Sequence, residues 1–194
     1  MKLALCGKMR TGKGTIAEML CQEYGFVELT FAEPIKAMAQ KYFPRLCAEG
    51  KPRELLQFIG HGFRQFDNDV WVNAMAKEVN FCTFGFGSNQ VIFDEQNEPN
   101  LVISDLRYQN EAEWCRENGF IIIKILATRE TQIERALKTE PNFVEDVLDD
   151  PSEVDIDKIE ALVEIPNNGT IQEFKTSVRG VLNLLGVKEC VPRQ

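Results

Sequence analysis

Short apolar runs alternate along the chain with stretches of helical periodicity. Leu3-Ala-Leu-Cys6 reads as a strand that stops at Gly7, and Ile16, Met19 and Leu20 resume at helical spacing, predicting a helix to about residue 23. Val27 to Phe31 predicts a second strand. Pro34 suits the first turn of a helix with Ile35, Met38 and Ala39 on one face. Pro44 and Gly50-Lys-Pro52 read as breaks. Leu55, Leu56 and Ile59 form another helical face, expected to end near Gly60-His-Gly62, and residues 70–79 look helical again. Residues 80–100 are the least regular, with Phe84-Gly-Phe-Gly-Ser-Asn89, a strand-like Val91-Ile-Phe93 and an acidic loop from Asp94 to Asn100.

Order resumes at Leu101-Val-Ile-Ser104, a strand that delivers Asp105; Asn110, with Glu113 three residues on, is the expected cap of the helix that follows. Phe120 to Leu126 is the most apolar stretch, suited to a central parallel strand. Thr131 to Leu137 predicts a helix, and Leu162 to Ile165 the last strand. Ile171, Phe174, Val178, Leu182 and Leu185 stripe a final helix. Residues 140–157 are acidic and carry Pro141 and Pro151, which suits a lid. This order predicts an α/β layered fold with a mostly parallel sheet. Such sheets bind ligands beyond the carboxyl ends of their strands. The Gly7 loop, Asp105, Arg129 and Asn167 all follow predicted strands and should gather along one edge.

The loop itself, Gly7-Lys-Met-Arg-Thr-Gly-Lys-Gly-Thr15, carries the sharpest chemistry. Glycines at 7 and 12 let the backbone of Met9, Arg10 and Thr11 wrap a polyphosphate with N–H groups inward. Lys13 adds a mobile charge, and the helix that follows adds its positive end. A glycine-rich turn that binds nothing would not account for this spacing directly after a strand. Gly14 stands where most such loops place Ser or Thr; the Gly-Lys-Gly-Thr ending resembles adenylate kinase and other nucleoside monophosphate kinases, and that resemblance implies Thr15 as the hydroxyl closest to the phosphates and Mg2+. Arg10 either reaches a phosphate or is a solvated side chain. Two acids compete for the magnesium side. Asp94-Glu95 resembles a hydrolytic site in which the glutamate polarises water. Asp105 is favoured, because regular structure surrounds it and Arg107 follows at once. With no glutamate after Asp105, transfer to another phosphate is more natural than hydrolysis. Phosphoryl transfer is mostly positioning and charge neutralisation, and Arg107, Arg129 and Arg135 are the candidate cations.

Composition narrows the classes. The chain has 194 residues, 44% apolar and 27% charged, as expected of one globular domain. Net charge is −8, which speaks against broad binding of polymeric nucleic acid. No apolar run reaches the roughly 18 residues of a membrane span, and the short first run is not a signal peptide, so a cytoplasmic protein is expected. The cysteines form no Cys-x-x-Cys pair, and His61 is the single histidine, which excludes a histidine zinc site.

An ordered set of motifs goes further: Phe31-Ala-Glu-Pro-Ile-Lys36, Arg53-Glu-Leu-Leu-Gln57 to Arg64 with Asp69-Val-Trp71, Ile103-Ser-Asp-Leu-Arg107 with Asn110-Glu-Ala-Glu113, and Asn167-Asn-Gly-Thr170. Together with the loop ending Gly-Lys-Gly-Thr, this set resembles the bacteriophage-type deoxynucleoside monophosphate kinases, over most of the chain. The resemblance implies a P-loop kinase three-layer fold in one domain, residues 1–194. Its sheet would be five-stranded, its core about 1–32 and 101–194, and its helical acceptor-binding insertion about 33–80. An irregular segment at about 81–100 and a lid at about 129–158 complete it. The implied reaction moves the γ-phosphoryl of ATP, with Mg2+, to a (deoxy)nucleoside 5′-monophosphate, by a monomer or homodimer in the cytoplasm (of a host, if phage-encoded). Donor residues would be Gly7, Met9 to Thr15 and Arg129, with Asn168, Gly169 and Thr170 near adenine. Lys13, Arg10, Asp105, Arg107 and Arg129 would act on the moving group, with Thr15 and Asp105 toward the metal. Lys36, Arg53, Gln57, Arg64, Asp69, Trp71 and Arg107 would hold the acceptor. Each has a plainer reading: Trp71 as core, Asn168-Gly169 as an ordinary turn, Lys36 and Arg53 as surface charges. Gly14 and the arginine-poor lid depart from the family pattern.

Other readings are a kinase of phosphomevalonate or dephospho-coenzyme A type, a hydrolytic ATPase, and a nucleotide switch. The switch reading lacks the Asn-Lys-x-Asp and Asp-x-x-Gly sequences it would want.

Overall fold

A computed structural model describes residues 1–50, 52–84, 98–140, 143–145, 148 and 151–190. The chain forms two compact units: Met1–Glu28 with Pro99–Gln194, and Leu29–Glu98.

The first unit is built on a five-stranded sheet of order β2-β3-β1-β4-β5. Its strands are β1 (Lys2–Cys6), β2 (Val27–Leu29), β3 (Leu101–Leu106), β4 (Ile121–Leu126) and β5 (Val163–Pro166). β1 runs parallel to β3 and β4, and β4 parallel to β5. The middle position falls to β1. The apolar β4 is interior, between β1 and β5. Helices α1 (Lys13–Tyr24), α6 (Gln109–Glu117), α7 (Arg129–Thr139), α8 (Pro151–Lys158) and α9 (Ile171–Leu184) make the crossovers and the flanks. Leu3, Leu5, Ile123 and Ile125 pack with Ile16 and Leu20 of α1 and with the Phe174, Val178, Leu182 stripe of α9 in one buried cluster.

Two local features bear on the site. Ala4 pairs with Ile103 but Cys6 pairs with Leu106, so β3 carries one extra residue where it delivers Asp105. Such bulges re-aim side chains. The cap of α6 falls at Tyr108 rather than at Asn110. The buried Glu111 carboxylate accepts the backbone N–H groups of both Arg107 and Tyr108, at 3.0 and 3.1 Å, and so fixes the turn that leaves β3.

The second unit contains helices α2 (Glu33–Tyr42), α3 (Pro44–Ala48), α4 (Arg53–Arg64) and α5 (Val70–Phe84). Pro44 starts a helix where a break was expected, which its fixed φ and missing N–H favour at a first helical position. α4 runs through Gly60 and Gly62 to Arg64, past the expected stop. The Trp71 indole N–H donates to the Gly60 carbonyl at 2.9 Å, and a side chain at position 60 would press on Ile35. α5 extends to Phe84, into the stretch read as irregular. Phe84-Gly-Phe-Gly-Ser-Asn89 beyond its first residue, Val91-Ile-Phe93 and the alternative acids Asp94 and Glu95 lie outside the described residues, as do residues 141–142, 146–147 and 149–150.

Candidate active site

The site begins where β1 ends. Gly7 has φ 147°, and a Cβ there would come within 2.5 Å of the Ile125 carbonyl oxygen. Gly12, the residue before α1, has φ 109°, and its Cβ would sit 2.5 Å from the Asn167 side-chain nitrogen. Both positions therefore exclude a side chain twice over, by backbone conformation and by space. Gly14 differs, with nothing within 4 Å of a Cβ built on it and no positive φ. Arg10 is the only non-glycine with positive φ (62°) among the described residues. That left-handed turn costs an L-residue roughly 1–2 kcal/mol, so neighbouring contacts must hold it.

Those contacts are visible. Thr11 is buried, and its hydroxyl donates to the Lys8 carbonyl at 2.9 Å. Asn167, also buried and directly after β5, donates its side-chain amide to the Thr11 carbonyl at 2.8 Å. Arg135 of α7 donates to the Arg10 carbonyl at 3.3 Å and to the Asn167 Oδ1 at 3.1 Å. The Lys13 ammonium curls back over the loop, 2.5 Å from the Gly7 carbonyl and 2.9 Å from that of Lys8. Two acids flanking the 140–157 stretch reach the same loop. Glu140 pairs with Arg10 at 2.6 Å, and Asp157 with Lys8 at 2.7 Å. Asp157 is itself placed by a buried cation: Lys124 of β4 donates to the carbonyls of Asp157 and Ile159 at the end of α8.

The loop's other neighbours take ordinary roles. Burial pushes the Cys6 thiol up to about 11, against the weaker pull of Lys124 and Lys13, so it stays protonated and is no nucleophile. Thr15 lies in the first turn of α1 and is partly exposed. Asp105 and Arg107, partly exposed, lie at and just beyond the bulged end of β3. Ser104 donates to Glu28, linking β3 to β2. Arg129 is exposed at the first position of α7. Asn168 accepts the Thr128 N–H at 2.8 Å, and Thr170 forms a reciprocal cap with Glu173 at the start of α9. The first unit thus gathers the Gly7–Thr15 loop, Asp105, Asn167 and the start of α7 beyond the carboxyl ends of its strands. Glu140 and Asp157 are loop contacts that the sequence pattern did not single out; Arg135, expected as a cation for the moving phosphoryl, and Asn167, expected at this edge, instead bond the loop carbonyls. For Asn167 the one available signal was its place directly after a strand.

In the second unit, Lys36 is exposed on α2 and pairs with Glu33 at 3.6 Å. Arg53 and Gln57 are exposed on α4. Arg64 ends α4 and donates to the Asn68 carbonyl at 3.4 Å, and Asp69 is exposed just before α5. Trp71 is 3% exposed and packs on Phe63 with ring centroids 5.7 Å apart, so it takes the core role rather than that of an open stacking platform.

Fold and loop together define the class: the chain has the P-loop kinase fold. Shikimate kinase from Bacteroides thetaiotaomicron superposes with a TM-score of 0.58 at 11% identity, covering 96% of this chain and 98% of that one. A gluconokinase from Sinorhizobium meliloti gives 0.55 at 13% identity, covering 94% and 92%. In sequence, the chain is 26% identical over 196 aligned residues to the "Putative deoxynucleotide monophosphate kinase" of Acanthamoeba polyphaga mimivirus, covering 91% of this chain and 93% of that protein. It is also 22% identical to the uncharacterized protein ORF76 of Ictalurid herpesvirus 1, covering 98% and 70%. No family model matches the sequence. Among the described residues no helix is long and apolar enough to cross a membrane.

Proposed function

We propose that the protein transfers the γ-phosphoryl group of ATP to a (deoxy)nucleoside 5′-monophosphate. The observation that carries this reading is the loop: left-handed turns at Gly7, Arg10 and Gly12, with the Lys13 ammonium held on two loop carbonyls. The likeness to the mimivirus "Putative deoxynucleotide monophosphate kinase" supports this choice of acceptor.

In this reading the loop N–H groups cradle the donor phosphates, and Lys13 exchanges its two carbonyl partners for phosphate oxygens. Arg10 exchanges Glu140 for phosphate in the same way. Gly7 and Gly12, where a Cβ would strike Ile125 and Asn167, let the loop turn tightly against the sheet, which fits a closely held polyphosphate. Thr15 and Asp105 are the residues for Mg2+, which usually binds through one or two protein oxygens together with substrate phosphates and neutralises their charge. An acceptor phosphate oxygen attacks the γ-phosphorus as the bond to the β,γ-bridging oxygen breaks, and ADP leaves. Arg107 and Arg129 neutralise charge on the moving group. The turn from Asn168 to Thr170 lies near adenine. Lys36, Arg53, Gln57, Arg64 and Asp69 of the helical unit bind the acceptor, and Trp71 supports them as core. The partners are small nucleotides rather than polymeric nucleic acid, against which the net charge of −8 speaks, and the setting is the cytoplasm.

A coupled ADP-release assay tests this, with ATP and a panel of deoxy- and ribonucleoside monophosphates. ADP release that depends on one or more of them is expected. Equal release without any acceptor would establish hydrolysis instead, and ATP binding without turnover would establish a switch.

A further inference from the structure

Arg135, a candidate cation by sequence, and Asn167 have no part in the reaction proposed above, yet both are bonded to the phosphate loop. We propose that they are positioning residues: a bridge that holds the Arg10 and Thr11 carbonyls outward and so fixes the peptide groups lining the anion nest. The proposal rests on the donor half of the reading above.

The chemistry of the bridge leaves little freedom. A guanidinium only donates, so the Asn167 oxygen must be the atom facing Arg135, and its NH2 must then face the Thr11 carbonyl. The N–H and C=O of a trans peptide point to opposite sides. Anchoring the Thr11 carbonyl on Asn167 therefore turns the Gly12 N–H to the other side. Anchoring the Arg10 carbonyl on Arg135 does the same for the Thr11 N–H, which meets the Lys8 carbonyl only at a long 3.4 Å. The anchored carbonyls belong to the strained, left-handed Arg10 and to the residue directly after it. Asn167 is in turn fixed by its own N–H on the Leu126 carbonyl at 2.7 Å, and it occupies the space that a Cβ on Gly12 would need. Arg135 thus has one nitrogen on the loop and one on Asn167, a fork that a single ammonium does not reproduce.

The test is equilibrium binding of a fluorescent ATP analogue, alongside transfer kinetics, for Arg135→Ala, Arg135→Lys, Asn167→Ala and the Arg135→Ala/Asn167→Ala double variant. Each single alanine change should weaken nucleotide binding about 10- to 100-fold and leave the acceptor KM unchanged. The double variant should bind no worse than the weaker single, because one bridge is being removed. Arg135→Lys, which keeps the charge and the packing, should stay weak. Amide exchange should quicken at residues 10–12 and not in the sheet. Unchanged binding with a fall in kcat alone would overturn the proposal and put Arg135 on the moving phosphoryl. Additive losses, or full rescue by lysine, would overturn it too. Because binding is read without an acceptor, a wild-type protein that binds the analogue but transfers to no monophosphate would sink the acceptor reading and leave this series decisive.

Discussion

The phosphate loop and the helical unit are built in opposite ways. The loop's shape rests on backbone: glycines at left-handed φ, carbonyls tied to Arg135 and Asn167, and a lysine folded onto its own loop. The helical unit places its candidate acceptor residues, Lys36, Arg53, Gln57 and Asp69, as exposed side chains on or beside helices, while its buried aromatic, Trp71, holds the helices together. Backbone geometry suits the unvarying polyphosphate of the proposed donor. Exposed side chains suit a part that varies.

This contrast can be broken at several points. Lys13→Ala should lower the transfer rate about 10³-fold or more, the usual scale for charge stabilisation of phosphoryl transfer; near-normal turnover in a steady-state assay would remove the loop from the mechanism. Trp71→Ala should destabilise by about 3–5 kcal/mol, as emptying a packed aromatic site does, with the loss read by denaturant melts. A loss near zero would show that Trp71 is not core. Gly7→Ala should cost about 1–3 kcal/mol and nucleotide binding, because its Cβ would strike the Ile125 carbonyl. Gly14→Ser, with open space around it, should be neutral in the same melts. Equal damage at both would mean the loop's shape does not depend on which glycine is free of contact. Arg64→Ala should raise the acceptor KM about tenfold and leave that for ATP nearly unchanged; equal shifts would contradict its assignment to the acceptor.

The smallest effect is one of pH. The Thr170 backbone N–H and hydroxyl hold the Glu173 carboxyl below its ordinary range. A depressed folded-state value adds stability that is fully present above the ordinary carboxylate pKa of about 4.3. It is lost as pH falls through the folded value. Glu173→Gln should therefore flatten the acid limb of a Tm-against-pH curve slightly, and an unchanged limb would remove the cap from the account.

Much of this was legible from local pattern. Strand, glycine loop and helix at residues 2–24 follow from spacing, and the strands near 101 and 121 from apolar runs bounded by polar turns. The misreadings share a cause. Gly60 and Gly62 carry a helix-breaking cost of about 1 kcal/mol each, against which the Trp71 indole bond to the Gly60 carbonyl helps hold the helix through position 60. Asn110 has the better capping side chain, but the buried Glu111 already holds the turn two residues earlier. The site divides in the same way. Gly7, Gly12 and Lys13 are a local motif, whereas the Arg10 to Glu140 and Thr11 to Asn167 contacts join residues far apart in sequence, which no spacing rule reports.

The most direct measurement is the fate of the label from γ-32P ATP, with a nucleoside monophosphate present, in the wild type and in Lys13→Ala. Label appearing in the nucleoside diphosphate, and absent from it with Lys13→Ala, is the predicted result. Label appearing only as inorganic phosphate, at a rate indifferent to the acceptor, would contradict it.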